Sequence, residues 1–295
     1  MAVDHVGAPA QDARPDRLRP STRVLLVAFV CLTLVATNQL FVLARRTATL
    51  FSWTIQPPLS AAFLGASYAA GCVLSVLALR SRSWLDARTP LVTVLVFAAL
   101  TLVATLLHLD RFHFHAPGLA AVGAAWVWLV VYLVVPVALL VVVVRQSRVP
   151  HPGPTSPRTP RTLPAWLLGL LGLQGLVLGV AAVGLFLAPA AAARWWPWTL
   201  TPLTARMIAA WLAALAVAAL LSLRERDVAR VRIPAVAYVV FGLLQLLALV
   251  LYGEAFARGS AAATVYVVAL VVALGTGVTG LALVARHRRT ARETP

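Results

Sequence analysis

The chain has 295 residues, 61% of them hydrophobic and 12% charged, with a mean hydropathy of +0.89 and a formal net charge of +16. A soluble domain carries about 25% charged residues, so half that share excludes an ordinary soluble fold. The basic excess is all Arg, in short clusters between apolar runs; that is a membrane-topology pattern, not the single basic face that binds nucleic acid.

Residues 1–22 are polar, contain Arg14, Arg17 and Arg19, and read as a disordered cytoplasmic tail. The apolar run 24–44 is long enough to span a bilayer. Arg45 and Arg46 follow it where a cleavage site would want small residues, so it is a first span and not a signal peptide. Seven more runs follow: 59–79, 90–108, 118–144, 164–188, 203–223, 234–252 and 262–285. Each approaches or exceeds the ~20 residues that cross ~30 Å of hydrocarbon. The predicted fold is all-α: a polytopic membrane protein of eight transmembrane helices, built as two parallel four-helix repeats. The repeats cover 23–144 and 164–286. A Pro-rich cytoplasmic linker, 145–163, joins them, and a basic cytoplasmic tail, 287–295, ends the chain.

The repeat is visible in a motif carried twice. Trp53-Thr-Ile-Gln56-Pro-Pro-Leu-Ser-Ala61 matches Trp198-Thr-Leu-Thr201-Pro-Leu-Thr-Ala205 once a proline is removed from the first. From Leu59 onward the halves align at a shift of 144 residues, without gaps. Arg88 and Pro90 fall on Arg232 and Pro234, His108 on Tyr252, Asp110 on Glu254, and Phe112 on Phe256. Four spans per copy is an even number, so both copies enter from one side. Nineteen of the 25 Arg lie on the side of the tails, the linker and loops 80–89 and 224–233. The positive-inside rule then places both termini in the cytoplasm of a cell-membrane protein.

Candidate chemistry gathers on the opposite, outer side. Trp53 and Trp198 begin arms that lead into spans two and six, where Gln56 and Thr201 stand as expected N-caps. His108, Asp110, His113 and His115 close span three and are the one set able to ligate zinc, copper or a haem iron. Their spacing matches no closed structural-zinc pattern and no Cys assists, so no cofactor is assigned. Asp110 and Glu254 are the outer acids. Arg206, one turn into span six, is expected to pair with Glu254, near Tyr252, because an unpaired charge at that depth costs a few kcal/mol. Cys31 and Cys72 sit inside apolar runs, at similar depth, and read as small buried hydrophobes.

The middle of every span lacks Asp, Glu, Lys and Arg. Its polar residues, Asn38, Gln39, Thr101, Thr105, Gln174, Gln245, Thr276 and Thr279, read as interhelical glue. Gly169, Gly172, Gly175 and Gly179 in span five, with Ser67, Gly71 and Ser75 in span two, form small-residue faces. These suit helix packing, a protein partner or a second copy.

The segments 53–61 and 196–206 resemble parts of uncharacterised multi-pass membrane proteins of high-GC, actinobacterial-type genomes, a bias that the all-Arg usage fits. The resemblance covers the two motifs and the spans after them. It implies a polytopic membrane protein and no activity. Three functions follow as expectations. The first is small-molecule binding or transport at an outward-facing site between the repeats, formed by Trp53, Gln56, His108, Asp110, Trp198, Thr201, Arg206, Tyr252 and Glu254. The second is a structural or accessory subunit. The third is a membrane-embedded enzyme using His108 and Asp110 as acid and base. The bilayer is the expected partner in all three.

Overall fold

The computed structural model describes residues 18–81, 83–148, 162–228 and 230–293. Most of the linker, residues 149–161, and tail residues 1–17 lie outside these. Eight helices among the described residues are long and apolar enough to cross a membrane, and no strand accompanies them. They are α1, Pro20–Thr37, continued by a π-helical turn over Asn38–Val42; α2, Pro58–Ser81; α3, Trp84–Leu106; α4, Leu119–Ser147; α5, Ala165–Leu187; α6, Pro202–Glu225; α7, Arg232–Tyr252; and α8, Ala261–Glu293.

Each predicted run falls on one helix, but several ends move. α1 starts at Pro20, inside the expected tail, since proline suits the first helical position. α3 starts six residues before the expected 90. Ser83 caps it by accepting from the Asp86 N–H at 3.5 Å, and Pro90 then lies inside the helix. α8 runs through Glu293, past the expected boundary at 286.

Loops alternate between two ends of the bundle. At the Arg-rich end Leu163 N donates to Arg226 O (2.9 Å), and the Arg88 guanidinium donates to the buried Glu225 carboxylate (2.6 Å). At the other end, called the Trp end below, His113 N donates to Ser52 O (2.8 Å) and Ala257 N to Pro197 O (2.9 Å). With eight crossings, both ends of the described chain lie at the Arg-rich end.

Burial sorts the helices into a core and a lipid-facing ring. The buried share of the eight spans in order is 22, 61, 50 and 28%, and then 22, 61, 50 and 28% again. So α2 and α6 are central, α3 and α7 flank them, and α1, α4, α5 and α8 lie outside. Packing partners form two rows: α1 on α2, α2 on α7, α7 on α8; and α5 on α6, α6 on α3, α3 on α4. Each row takes two helices from either side of the linker, so the predicted units 23–144 and 164–286 interlock.

The small-residue face of α5 is used inside the chain. Gly172, Gly175 and Gly179 meet Leu223, Leu220 and Ala216 of α6, with a Cβ on Gly175 only 3.0 Å from Leu220. That part of the face is occupied within the chain, whereas a Cβ on Gly169 would meet no atom within 4 Å. The polar midspan residues divide by type. The glutamines bridge elements: Gln245 Nε2 donates to Phe63 O (3.0 Å) and Gln174 Nε2 to Thr276 Oγ1 (2.7 Å). Thr105 and Thr276 instead donate to their own helix four residues back (2.8 Å each). Cys72 Sγ lies 3.8 Å from Val30 O, placing the two cysteines at similar depth; Cys31, expected to be buried, is exposed on the outer face of α1.

Candidate functional site

Aromatic residues immobilise the two Trp arms in matching ways. Trp53 packs on Phe51 (4.8 Å between ring centroids), Trp128 (5.0 Å) and Phe112 (5.3 Å). Trp198 packs on Trp196 (5.2 Å), Tyr266 (5.2 Å) and Phe256 (6.3 Å). Tyr266 takes the place of Trp128, where the ungapped shift of 144 would have put Val272. The gapless alignment therefore ends after Phe112 and Phe256, at a shorter turn before α8. Trp53 is 2% exposed and Trp198 4%, so neither lines an open mouth. They are structural anchors. Trp198 Nε1 also donates to Ser60 Oγ of α2 (2.9 Å).

The remaining predicted site residues are brought near the Trp end but into separate contacts. Thr201 caps α6 as expected, accepting from Thr204 N (3.3 Å). Gln56 does not cap α2, because that helix begins at Pro58 and the residue before it is Pro57. Arg206 does not pair with Glu254. Its Nε donates to Phe186 O and its Nη1 to His108 Nε2, both at 3.0 Å. Glu254 pairs with Arg45, whose guanidinium also lies 5.5 Å from the Tyr252 ring centroid. Tyr252 Oη donates to Phe41 O (2.7 Å). Asp110 pairs with its neighbour Arg111 at 2.9 Å, both side chains well exposed, an arrangement that contributes little to stability. Depth explains the difference: Glu254 lies in the exposed turn after α7, whereas Arg206 is half-buried beside the carbonyl-bearing end of α5.

His108 and His113 are also committed, and His115 is exposed. An Arg has no acceptor, so His108 Nε2 must accept from Arg206, and its Nδ1–H donates to Ala104 O (3.0 Å). His113 donates from Nδ1 to Phe51 O (2.9 Å) and accepts from Thr54 Oγ1 at Nε2 (3.0 Å). A metal needs those lone pairs, and at His108 the neighbouring guanidinium would repel it. No three His, Cys, Asp or Glu side chains gather as a metal site among the described residues. His108, Asp110, His113 and His115 therefore stand in separate contacts and do not gather around one point.

A cavity of about 380 Å³ lies elsewhere, between α1 and α2 on one side and α3 and α4 on the other. α1 and α4 are tied at the Arg-rich end, where Arg19 N and Thr22 Oγ1 both reach Gln146 Oε1 (3.4 and 3.5 Å). Towards the Trp end they part. Exposed Val35 of α1 and Leu119 and Val127 of α4 rim the opening. Phe97, Trp211, Tyr68 and Tyr132 form the buried inner wall, with Phe97 stacked on Trp211 at 3.9 Å. The Tyr68 and Tyr132 hydroxyls meet at 2.5 Å. Pockets of ~300–1,000 Å³ with mostly apolar walls and a few polar groups are the usual form of a small-molecule site.

The cleft between α5 and α8 is bridged by the Gln174–Thr276 hydrogen bond. Leu212 and Leu215 stand 144 residues on from Tyr68 and Gly71, and Leu270 stands one turn after Tyr266 as Tyr132 does after Trp128. At these positions the second half has leucine where the first has tyrosine and glycine. Sequence reasoning had overlooked Tyr68 and Tyr132. The signal was present for Tyr68, which the shift of 144 sets against Leu212; for Tyr132 it was masked, because the same shift sets it against Thr276.

No protein-family model matches the chain, and no match was found among curated proteins or solved structures. Its functional reading therefore stands on geometry.

Proposed function

We propose that the protein is a two-repeat membrane protein that takes up an apolar small molecule from the bilayer into the α1–α4 cavity. The observation that carries this reading is the cavity itself: apolar, side-opening and rimmed by lipid-facing residues, whereas a pocket lined from α5 and α8 holds only about 20 Å³. It relocates the site expected at the outer mouth to the interior of the first half. The test is photo-crosslinking with an alkyl aryl-diazirine in nanodiscs, followed by peptide mapping. Label is expected to concentrate on Tyr68, Phe97 and Trp128. A Cβ at Gly123 would meet no atom within 4 Å, so Gly123→Phe can plug the opening without displacing its wall. That variant should cut cavity labelling about tenfold, a shift of ~1.4 kcal/mol, and leave labelling of lipid-facing Leu187 unchanged. Label spread evenly over the lipid-facing residues would refute the reading.

The repeats are proposed as parallel copies, with the Arg-rich end in the cytoplasm of a cell membrane. The recurring burial sequence and the matched arm contacts support the first point, and the Arg distribution supports the second. Single cysteines at exposed Thr49 and Arg194, in a chain with Cys31 and Cys72 replaced by Ala, are expected to react with an impermeant maleimide on intact cells. Cysteines at Arg80 and Arg224 should react only after permeabilisation. Opposite labelling of Thr49 and Arg194 would exclude the parallel arrangement.

A further inference from the structure

The cavity carries a second piece of information in its two hydroxyls. Two tyrosines hold two hydroxyl protons, and a single Tyr68–Tyr132 hydrogen bond uses one of them. The other three tyrosines each place their proton on a protein acceptor: Tyr238 on Leu215 O, Tyr252 on Phe41 O and Tyr266 on Gln245 Oε1. Of the five tyrosines, only the pair in the cavity wall has a proton left over; the Trp211 Nε1–H of the same wall also has no partner. Both side chains are more than nine-tenths buried, at 5 and 6% exposure, and rings surround them: Phe97, Trp128 and Trp211 lie within 6.5 Å of Tyr68. A buried donor without an acceptor costs ~1–3 kcal/mol, and no water competes in hydrocarbon.

Depth narrows the acceptor. Tyr68 is the eleventh residue of the 24-residue α2 and Tyr132 the fourteenth of the 29-residue α4. At ~1.5 Å per residue the pair lies ~15 Å below the Trp end of α2, close to the middle of a ~30 Å hydrocarbon layer. The ester carbonyls of a phospholipid lie at the edges of that layer. A neutral molecule dissolved in the hydrocarbon can hold its carbonyl at the centre.

Building on the cavity-binding reading above, we infer that the ligand is a neutral, membrane-dissolved carbonyl compound, of the quinone or isoprenoid-ketone class. Its carbonyl accepts the spare proton of the Tyr68–Tyr132 pair, and its apolar body lies along Phe97, Trp211 and the α1–α4 opening. Either tyrosine alone retains one free proton, so the two are interchangeable as hydroxyl donors and only their joint loss removes the hydroxyl bond; the Trp211 Nε1–H is present in every variant and cancels from the comparison.

The experiment uses the full chain in nanodiscs of ether-linked lipid, which has no ester carbonyl. Decylubiquinone and dodecylbenzene compete against the diazirine probe, and the quinone C=O stretch is followed by infrared difference spectroscopy. Wild type, Tyr68→Phe and Tyr132→Phe are each expected to bind the quinone with a lowered C=O frequency. Tyr68→Phe/Tyr132→Phe should bind it about tenfold more weakly, with an unshifted C=O band, and bind dodecylbenzene as wild type does. Unchanged quinone affinity and frequency in the double variant would overturn the inference while leaving cavity binding intact. Loss of quinone affinity on returning to ester lipid would also overturn it, assigning the site to a phospholipid ester. Failure of both competitors on the wild type would bring down the cavity reading itself.

Discussion

Gly65→Val is expected to destabilise the bundle by about 3 kcal/mol, at the upper end of what overpacking costs. α2 crosses α1 at the π-helical turn Asn38–Val42, where a Cβ on Gly65 would stand 2.5 Å from Phe41 N and 2.8 Å from the Leu40 carbonyl carbon. Carbon atoms pack at ~3.5–4.0 Å, and the obstructing atoms are backbone, which cannot rotate aside. Nor can the turn easily withdraw. Tyr252 of α7 holds Phe41 O, and Gln39 Nε2 is bonded to Leu50 O (3.2 Å). The measurement is the unfolding midpoint in a denaturing-detergent titration. Gly123→Val, made where no neighbour lies within 4 Å, is the control and should shift stability by no more than ~0.5 kcal/mol. Equal stability of the two variants would show that α1 and α2 are not in this close contact.

Arg206→Ala should cost about 2 kcal/mol by the same measurement, within the ~1–3 kcal/mol for a buried group left without its partner. The guanidinium serves two acceptors, the Phe186 carbonyl at the end of α5 and His108 Nε2 on the turn after α3. Removing it leaves both without a donor in a poorly solvated setting. Arg206→Lys is expected to recover less than half, since an ammonium lacks the rigid fork that reaches two acceptors. A double-mutant cycle with His108→Ala should give a coupling of ~1 kcal/mol, whereas one with Glu254→Ala should be additive within ~0.5 kcal/mol. Coupling to Glu254 and none to His108 would restore the pair suggested by helix depth alone.

These two sites also show how far the chain could be read before it was folded. Gly65 gave no sign of its role, because the π-turn that crowds it belongs to another helix. Arg206 announced that it needed a partner, since charge is expensive at that depth. Which partner it took depended on how α3 packs against α6 across the linker. The arms were legible as repeated, aromatic and proline-started. Their burial was not, because Trp128 and Tyr266, which enclose them, lie on different spans and break the uniform offset. Thr201 obeyed local capping chemistry and Gln56 did not, since the extra proline moves the start of α2 by one residue.

From the amino-acid order alone came the solvent, the eight crossings, their approximate limits and a doubled pattern. All of these depend on run length, hydropathy and the spacing of residues along one strand of chain. The interlocked rows, the partners of Arg206 and Glu254, and the cavity walled by Tyr68 and Tyr132 were settled only by tertiary packing. The side chains that create them are separated by scores of residues, and helices with nearly uniform apolar surfaces carry little local record of which neighbour they will meet.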